Sequence, residues 1–234
     1  MVLTRRDLLN GTAASAALLV SAGNLNAANC AMPTKERQDS FTPEAVIDEL
    51  MAGNERFKTG QMVNCNLNQQ VTYTANGQFP IAAVVGCIDS RVPPEMVFDQ
   101  NIGDIFSARI AGNFVNTDIL GSLEFACRVA GAKAIVVLGH TECGAIKGAI
   151  DQAKLGNLTA MLERLEPAVQ AAAPFAERTS SDQNLVQRVT DANVLLTVKQ
   201  IQSQSSVLKE MVQAGELIIV GAIHDVATGS ISLL

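Results

Sequence analysis

Two short segments of this chain carry side chains suited to holding a metal ion, Cys87-Ile88-Asp89-Ser90-Arg91 and His140-Thr141-Glu142-Cys143. His-x-x-Cys sets an imidazole and a thiolate one helical turn apart, or around a tight loop, which suits a tetrahedral ion. Alone this spacing is weak, because a buried cysteine is common. Cys87 supplies a third donor. Two thiolates and one imidazole match zinc and leave a fourth position open, the pattern of a catalytic rather than a structural site. The expectation is one Zn2+ per chain, bound by Cys87, His140 and Cys143.

Residues 87 and 140 are far apart in sequence, so the fold must bring them together. Four apolar runs, Ile81 to Gly86, Ile105 to Ile110, Ala134 to Gly139 and Leu217 to Ile223, lack alternation. That is how strands buried on both faces look. Helical patterns lie between several of them, notably Ile119 to Ala130 and Val189 to Ala214. Strand and helix in alternation imply right-handed crossovers and a single α/β domain, a mostly parallel central sheet flanked by helices. In such sheets ligands bind beyond the carboxyl ends of the strands. Cys87 directly follows the first run and His140 the third, so both donors fall at that edge. Ser230 to Leu234 reads as a short edge strand. Upstream, Thr42-Pro43-Glu44 supplies an N-cap, a proline at the first helical position and an early acid. Ala45, Val46, Leu50, Met51 and Phe57 then recur at helical spacing up to Gly60. This helix either packs on the core or forms an N-terminal arm laid on a partner subunit.

The order Cys-x-Asp-x-Arg after one strand and His-x-x-Cys after another resembles the β-class carbonic anhydrases. So do Phe98-Asp99, Gly103-Asp104-Ile105-Phe106, Arg109-Ile110-Ala111-Gly112-Asn113, Gly121-Ser122-Leu123-Glu124-Phe125-Ala126 and Gly221-Ala222-Ile223-His224-Asp225. The match runs from about Phe41 to the C-terminus, which makes 41–234 the catalytic domain. The resemblance implies reversible hydration of carbon dioxide to bicarbonate and a proton, with zinc-bound hydroxide as nucleophile. It implies Asp89 and Arg91 as the pair working beside the zinc-bound water, Gln78 as a match for a glutamine that in one branch of the family hydrogen-bonds substrate, and Phe106, Ala111 and Gly112 as an apolar pocket wall. It also implies a homodimer or homotetramer with active sites at subunit contacts. Phe125 departs from the Tyr of many relatives, so a hydroxyl contact is missing there. Two other readings use the same cysteines: a zinc hydrolase of carbon disulfide or carbonyl sulfide, and a non-catalytic zinc or thiol protein.

Charge gives Asp89 and Arg91 a reason to exist. Two thiolates cancel the formal charge of zinc, so its water acidifies less readily than in a three-imidazole site. Neighbouring groups then matter more. Asp89 can accept a hydrogen bond from the hydroxide, and Arg91 can hold that carboxylate by two parallel bonds that a lysine could not reproduce. The plainer alternative is an ion pair that closes the turn. Thr141 and Glu142 read as loop residues, and His224 as a satisfied surface or core histidine rather than a proton shuttle.

Composition excludes other classes. With 48% hydrophobic and 17% charged residues, the chain can bury a substantial core, and a net charge of −6 without a basic cluster beyond the extreme N-terminus argues against nucleic acid as a partner. Thr4-Arg5-Arg6-Asp7-Leu8-Leu9, an apolar run from Gly11 to Ala22 and the small residues around Ala27-Ala28 resemble a twin-arginine export signal over 1–28. The run is too short for a stable membrane span, so a periplasmic mature protein that is not transmembrane is expected. A polar linker over 29–40 follows, with Pro33 in it. Lipid anchoring through Cys30 is disfavoured because Asn29, not a small residue, precedes it. Five cysteines in an exported chain raise the possibility of disulfides, but Cys30, Cys65 and Cys127 show no ligand spacing, cannot be paired from sequence, and otherwise read as buried small residues or incidental thiols.

Overall fold

In the computed structural model of the protein, which describes residues 32–63 and 65–234, the four apolar runs form neighbouring strands of one sheet. The elements in chain order are α1 (Lys35–Ser40), α2 (Pro43–Lys58), α3 (Leu67–Thr74), β1 (Ala82–Gly86), α4 (Pro94–Val97), β2 (Ile105–Arg109), α5 (Thr117–Glu124), β3 (Ala134–His140), α6 (Gly144–Ile150), α7 (Gly156–Leu162), α8 (Glu166–Ala171), α9 (Gln183–Gln204), α10 (Ser206–Gln213), β4 (Ile218–His224) and β5 (Ile231–Leu233). α5 runs on into a π-helical turn, Phe125–Val129. The strand order is β2-β1-β3-β4-β5, with β1 to β4 parallel and β5 antiparallel.

Both faces of the sheet are covered, which explains the missing alternation. Ala82 and Val84 of β1 pack with Val46 and Leu50 of α2 and Val97 of α4. Ala83 and Val85 point the other way, into Leu123 of α5, Val194 and Ile201 of α9 and Leu208 of α10. The chain leaves β1 toward β2 on one side, and leaves β3 toward β4 on the other. That divergence opens a crevice between the carboxyl ends of β1 and β3, the place where such sheets bind ligands.

Two expectations need correction in detail. The helical pattern from Val189 to Ala214 is two helices, because Ser205 is extended and its Oγ accepts from Leu208 N–H at 3.1 Å, starting α10 afresh. Apolar periodicity alone misses that cap, since Leu208 and Ile201 face the same core. The stretch expected as linker contains α1, which Gln38 ties to the domain through the Pro80 and Ala130 carbonyls at 2.7 and 2.8 Å. Of the two readings of α2, the structure bears out packing on the core: Val46, Ile47 and Leu50 are buried against the protein's own sheet. Its approach to α4 is so close that a Cβ on Gly53 would stand 1.8 Å from the Phe98 carbonyl oxygen.

The expected N-cap of α2 is present, with Thr42 accepting from Ala45 N–H at 3.2 Å. Residues 1–28, expected as a signal, lie outside the described residues, as does Cys30. Cys65 is disulfide-bonded rather than an incidental thiol. Cys127 is a free, buried thiol that desolvation pushes up to about 12. No helix among the described residues is long and apolar enough to cross a membrane.

Candidate metal centre

Cys87 is the first residue beyond β1, and His140 is the last residue of β3. Cys143 comes three positions later, immediately before α6. One ligand atom from each lies within 4.8 Å of the other two, and all three residues are buried. His140 is arranged for coordination. Its Nδ1 lies 2.8 Å from the Thr141 carbonyl, which can only accept, so Nδ1 carries the proton. Nε2 is left with its lone pair free, fully buried and without a hydrogen-bond partner. An orphaned buried acceptor of this kind costs about 1–3 kcal/mol. A metal ion held with the two cysteines removes that cost.

The two thiols divide their protons unequally. The Cys143 thiol, with Gly112 N–H at 3.4 Å from Sγ, outweighs burial and holds the Cys87 thiol well below its usual pKa. The same hydrogen bond to Cys87, together with burial, pushes Cys143 upward. Cys87 is thus the thiol better disposed to give up its proton to a metal.

The turn after Cys87 carries the expected pair. Arg91 donates through Nε to Asp89 Oδ1 at 2.9 Å and through Nη2 to Oδ2 at 2.8 Å, and its backbone N–H donates to Oδ1 at 3.0 Å. Those hydrogen bonds hold the Asp89 carboxyl well below the usual carboxylate range. Asp89 Oδ2 stands 3.9 Å from His140 Nε2, so the carboxylate borders the three donors. Arg91 Nη2 also reaches the Glu142 carbonyl at 3.4 Å. Glu142 adopts a left-handed φ of 59° in the loop between the ligands, where its carboxylate pairs with Lys147. Thr141 Oγ1 accepts from Val226 N–H at 3.0 Å. Both are loop-forming residues, as expected.

Of the expected substrate residues, the fold brings Gly112 against Cys87, with Ala111 beside it. Gly112 has φ of 85°, and a Cβ there would lie 2.8 Å from Leu165. Gln78 and Phe106 are not brought to this end. Gln78 is exposed before the start of β1, and the six residue steps from Ile81 to Cys87 alone span about 20 Å at ~3.3 Å each. Phe106 is level with Ala83 in the sheet and meets Phe125 edge-on, ring centroids 6.1 Å apart. Both phenylalanines line a cavity of about 540 Å³ beside β2 and α5.

His224 is buried, but it is not the satisfied histidine expected. Neither ring nitrogen has a hydrogen-bond partner, and desolvation, then the His140 ring, hold it below its usual pKa. Sequence reasoning passed over two further contacts. Asn193 of α9 donates to the Gly112 carbonyl at 2.8 Å, and Arg109 of β2 donates to the carbonyls of Cys87 and Asp89. A signal existed for Asn193, a polar residue on the buried stripe Val186, Val189, Thr190, Val194 and Thr197.

Comparison with known proteins agrees with this geometry. The family model described as carbonic anhydrase matches residues 82–231. Carbonic anhydrase 2 of Mycobacterium tuberculosis is 35% identical over 195 residues, covering 80% of this chain and 90% of that protein. A carbonic anhydrase of Mycolicibacterium smegmatis is 35% identical over 198 residues, covering 82% and 93%. Among solved structures, the β-carbonic anhydrase CafA of Aspergillus fumigatus aligns with a TM-score of 0.61 at 26% identity, covering 82% of this chain and 89% of that one. One of two tetrameric β-carbonic anhydrases from Sordaria macrospora gives 0.64 at 25%, covering 81% and 96%. The parallel α/β sheet with two cysteines and a histidine gathered at its carboxyl edge is that of an enzyme with a candidate metal site. The chain belongs to the β-class carbonic anhydrases.

Proposed function

We propose that the protein hydrates carbon dioxide reversibly, giving bicarbonate and a proton, at a Zn2+ ion held by Cys87 Sγ, His140 Nε2 and Cys143 Sγ. One observation carries this reading: three buried donors converge from the ends of two strands, and one is a ring nitrogen with no other partner. Zinc in such a site supplies hydroxide near neutral pH. Asp89 Oδ2 borders the metal position, and Arg91 keeps the carboxylate ionised, so it accepts a hydrogen bond there rather than donating one. Carbon dioxide is apolar and offers little to bind. Ala111 and Gly112, next to Cys87, supply an uncharged wall for it. The zinc-loaded protein is expected to hydrate carbon dioxide in a stopped-flow assay and to be silenced by a sulfonamide; no turnover above buffer across the pH range would sink the reading.

The working unit is a homodimer or homotetramer, exported to the periplasm. Three features support association. Among the described residues β2 pairs with β1 alone, which leaves one row of its backbone groups for another chain. The apolar cavity at Phe106 and Phe125 lies on that same edge, and Phe125 is 49% exposed. Gln78 stands away from its own metal position, so its substrate contact is made in a neighbour's site. Export is supported by the disulfide at Cys65, a bond that belongs to oxidising compartments. Light scattering on protein recovered from the periplasmic fraction tests both points. A monomer at working concentration contradicts the first, and recovery only from the cytoplasm contradicts the second.

A further inference from the structure

We infer that Arg109 is a positioning residue for this reaction, holding from β2 the turn that joins Cys87 to Asp89 and so setting where the carboxylate stands relative to the metal ligands. The inference rests on the carbonic anhydrase reading. Arg109 Nε donates to the Cys87 carbonyl at 2.8 Å, and Nη2 donates to the Asp89 carbonyl at 2.6 Å. Both bonds leave one rigid, planar group, so the backbone is fixed on either side of Ile88. Arg109 forms no ion pair among the described residues, and the charge-assisted donors thus serve the turn itself. The guanidinium has a firm base. In the sheet register Arg109 lies beside Gly86, and Ile110 N–H donates to the Gly86 carbonyl at 3.0 Å, one residue from the ligand.

The two ends of the turn differ in how else they are held. Cys87 is also fixed by Gly112 N–H on its sulfur and by the neighbouring Cys143. The other tethers of the Asp89 backbone lie within the turn itself: Val92 N–H donates to its carbonyl at 3.1 Å, and its own N–H donates to the Cys87 sulfur. Losing Arg109 therefore displaces Asp89 more than Cys87. The expected signature is lower turnover with zinc retained.

The test compares Arg109→Ala and Arg109→Lys with wild type, each alone and combined with Asp89→Asn. Zinc content is measured by elemental analysis, zinc affinity by chelator competition, and kcat and KM per bound zinc by stopped flow. Arg109→Ala is expected to keep its zinc and to lose about 10- to 100-fold in kcat, the range seen when outer partners of a metal site are removed. Arg109→Lys should recover little, because one ammonium cannot span two carbonyls in that geometry. In the Asp89→Asn background the further loss should shrink to about twofold or less, since the group being positioned is already gone. An unchanged kcat per bound zinc, an equal loss in both backgrounds, or a defect confined to zinc affinity overturns the inference. Should Arg109→Ala not fold, Arg109→Lys decides, and full turnover by it overturns the inference. Inactive zinc-loaded wild type would instead defeat the carbonic anhydrase reading itself.

Discussion

Cys143→Ser is expected to abolish activity by emptying the site. Cys143 lies within 4.8 Å of the other two ligand atoms and is buried, so its replacement leaves two donors in a cavity shaped for three. A serine hydroxyl stays protonated near neutral pH and is a poor zinc ligand. Removing even outer partners of a metal site costs about 10- to 100-fold in affinity, so loss of a direct ligand should exceed about 100-fold. Elemental analysis after dialysis against a weak chelator gives the answer, and full zinc content would overturn the ligand assignment. The thiol protons add a pH signature to the wild type. Its neighbour's sulfur and burial push the Cys143 pKa up, so this thiol is protonated in the metal-free protein at neutral pH. Zinc must displace that proton, and apparent affinity should rise about tenfold per pH unit through the neutral range.

The second large effect belongs to Arg91→Ala, which should keep its zinc and lose most of its turnover, about 10- to 100-fold. The substitution removes both side-chain bonds to Asp89 and leaves only the backbone N–H donor. Asp89 Oδ2 already stands 3.9 Å from His140 Nε2, so the released carboxylate can swing into the metal position and compete there. The acid side changes as well. Arg91 depresses the Asp89 pKa, and without it that pKa returns toward the ordinary value of about 3.9. A depressed carboxylate contributes stability that is present above its unfolded pKa and lost as pH falls through the folded one. The variant lacks that contribution, and its Asp89 protonates at higher pH than in wild type. Stopped-flow rates from acid to alkaline pH, paired with zinc content, check the prediction; wild-type turnover by a metal-replete Arg91→Ala would defeat it.

Particular residues show how much was legible in the chain. Cys87, His140 and Cys143 could be grouped because Cys87 and His140 fall at strand ends that hydrophobic runs mark out, strand ends on one edge of a parallel sheet meet, and Cys143 is only three residues beyond His140. Asp89 and Arg91 are two residues apart, so their pairing needs only a turn. The α9–α10 boundary was hidden, because a single Ser205 cap interrupts an apolar stripe that continues on both sides. α1 was hidden for a different reason. Its residues are polar, and its place depends on Gln38 meeting the Pro80 and Ala130 carbonyls, both distant in sequence.

Local chemistry, then, is what the sequence determined by itself: donor types, their spacing, and the runs that become strands buried on both faces. These are properties of adjacent residues and need no knowledge of neighbours in space. Tertiary structure alone decided which backbone groups support the ligands. Arg109 meets the Cys87 carbonyl only because β2 pairs with β1 in the register Gly86 to Arg109. Asn193 meets Gly112 across 81 residues only because α9 crosses the sheet there. The orphaned Nε2 of His140 likewise exists only once the crevice between β1 and β3 has closed around it. Contacts of this kind arise from sheet register and helix packing, which many residues set jointly and no short motif records.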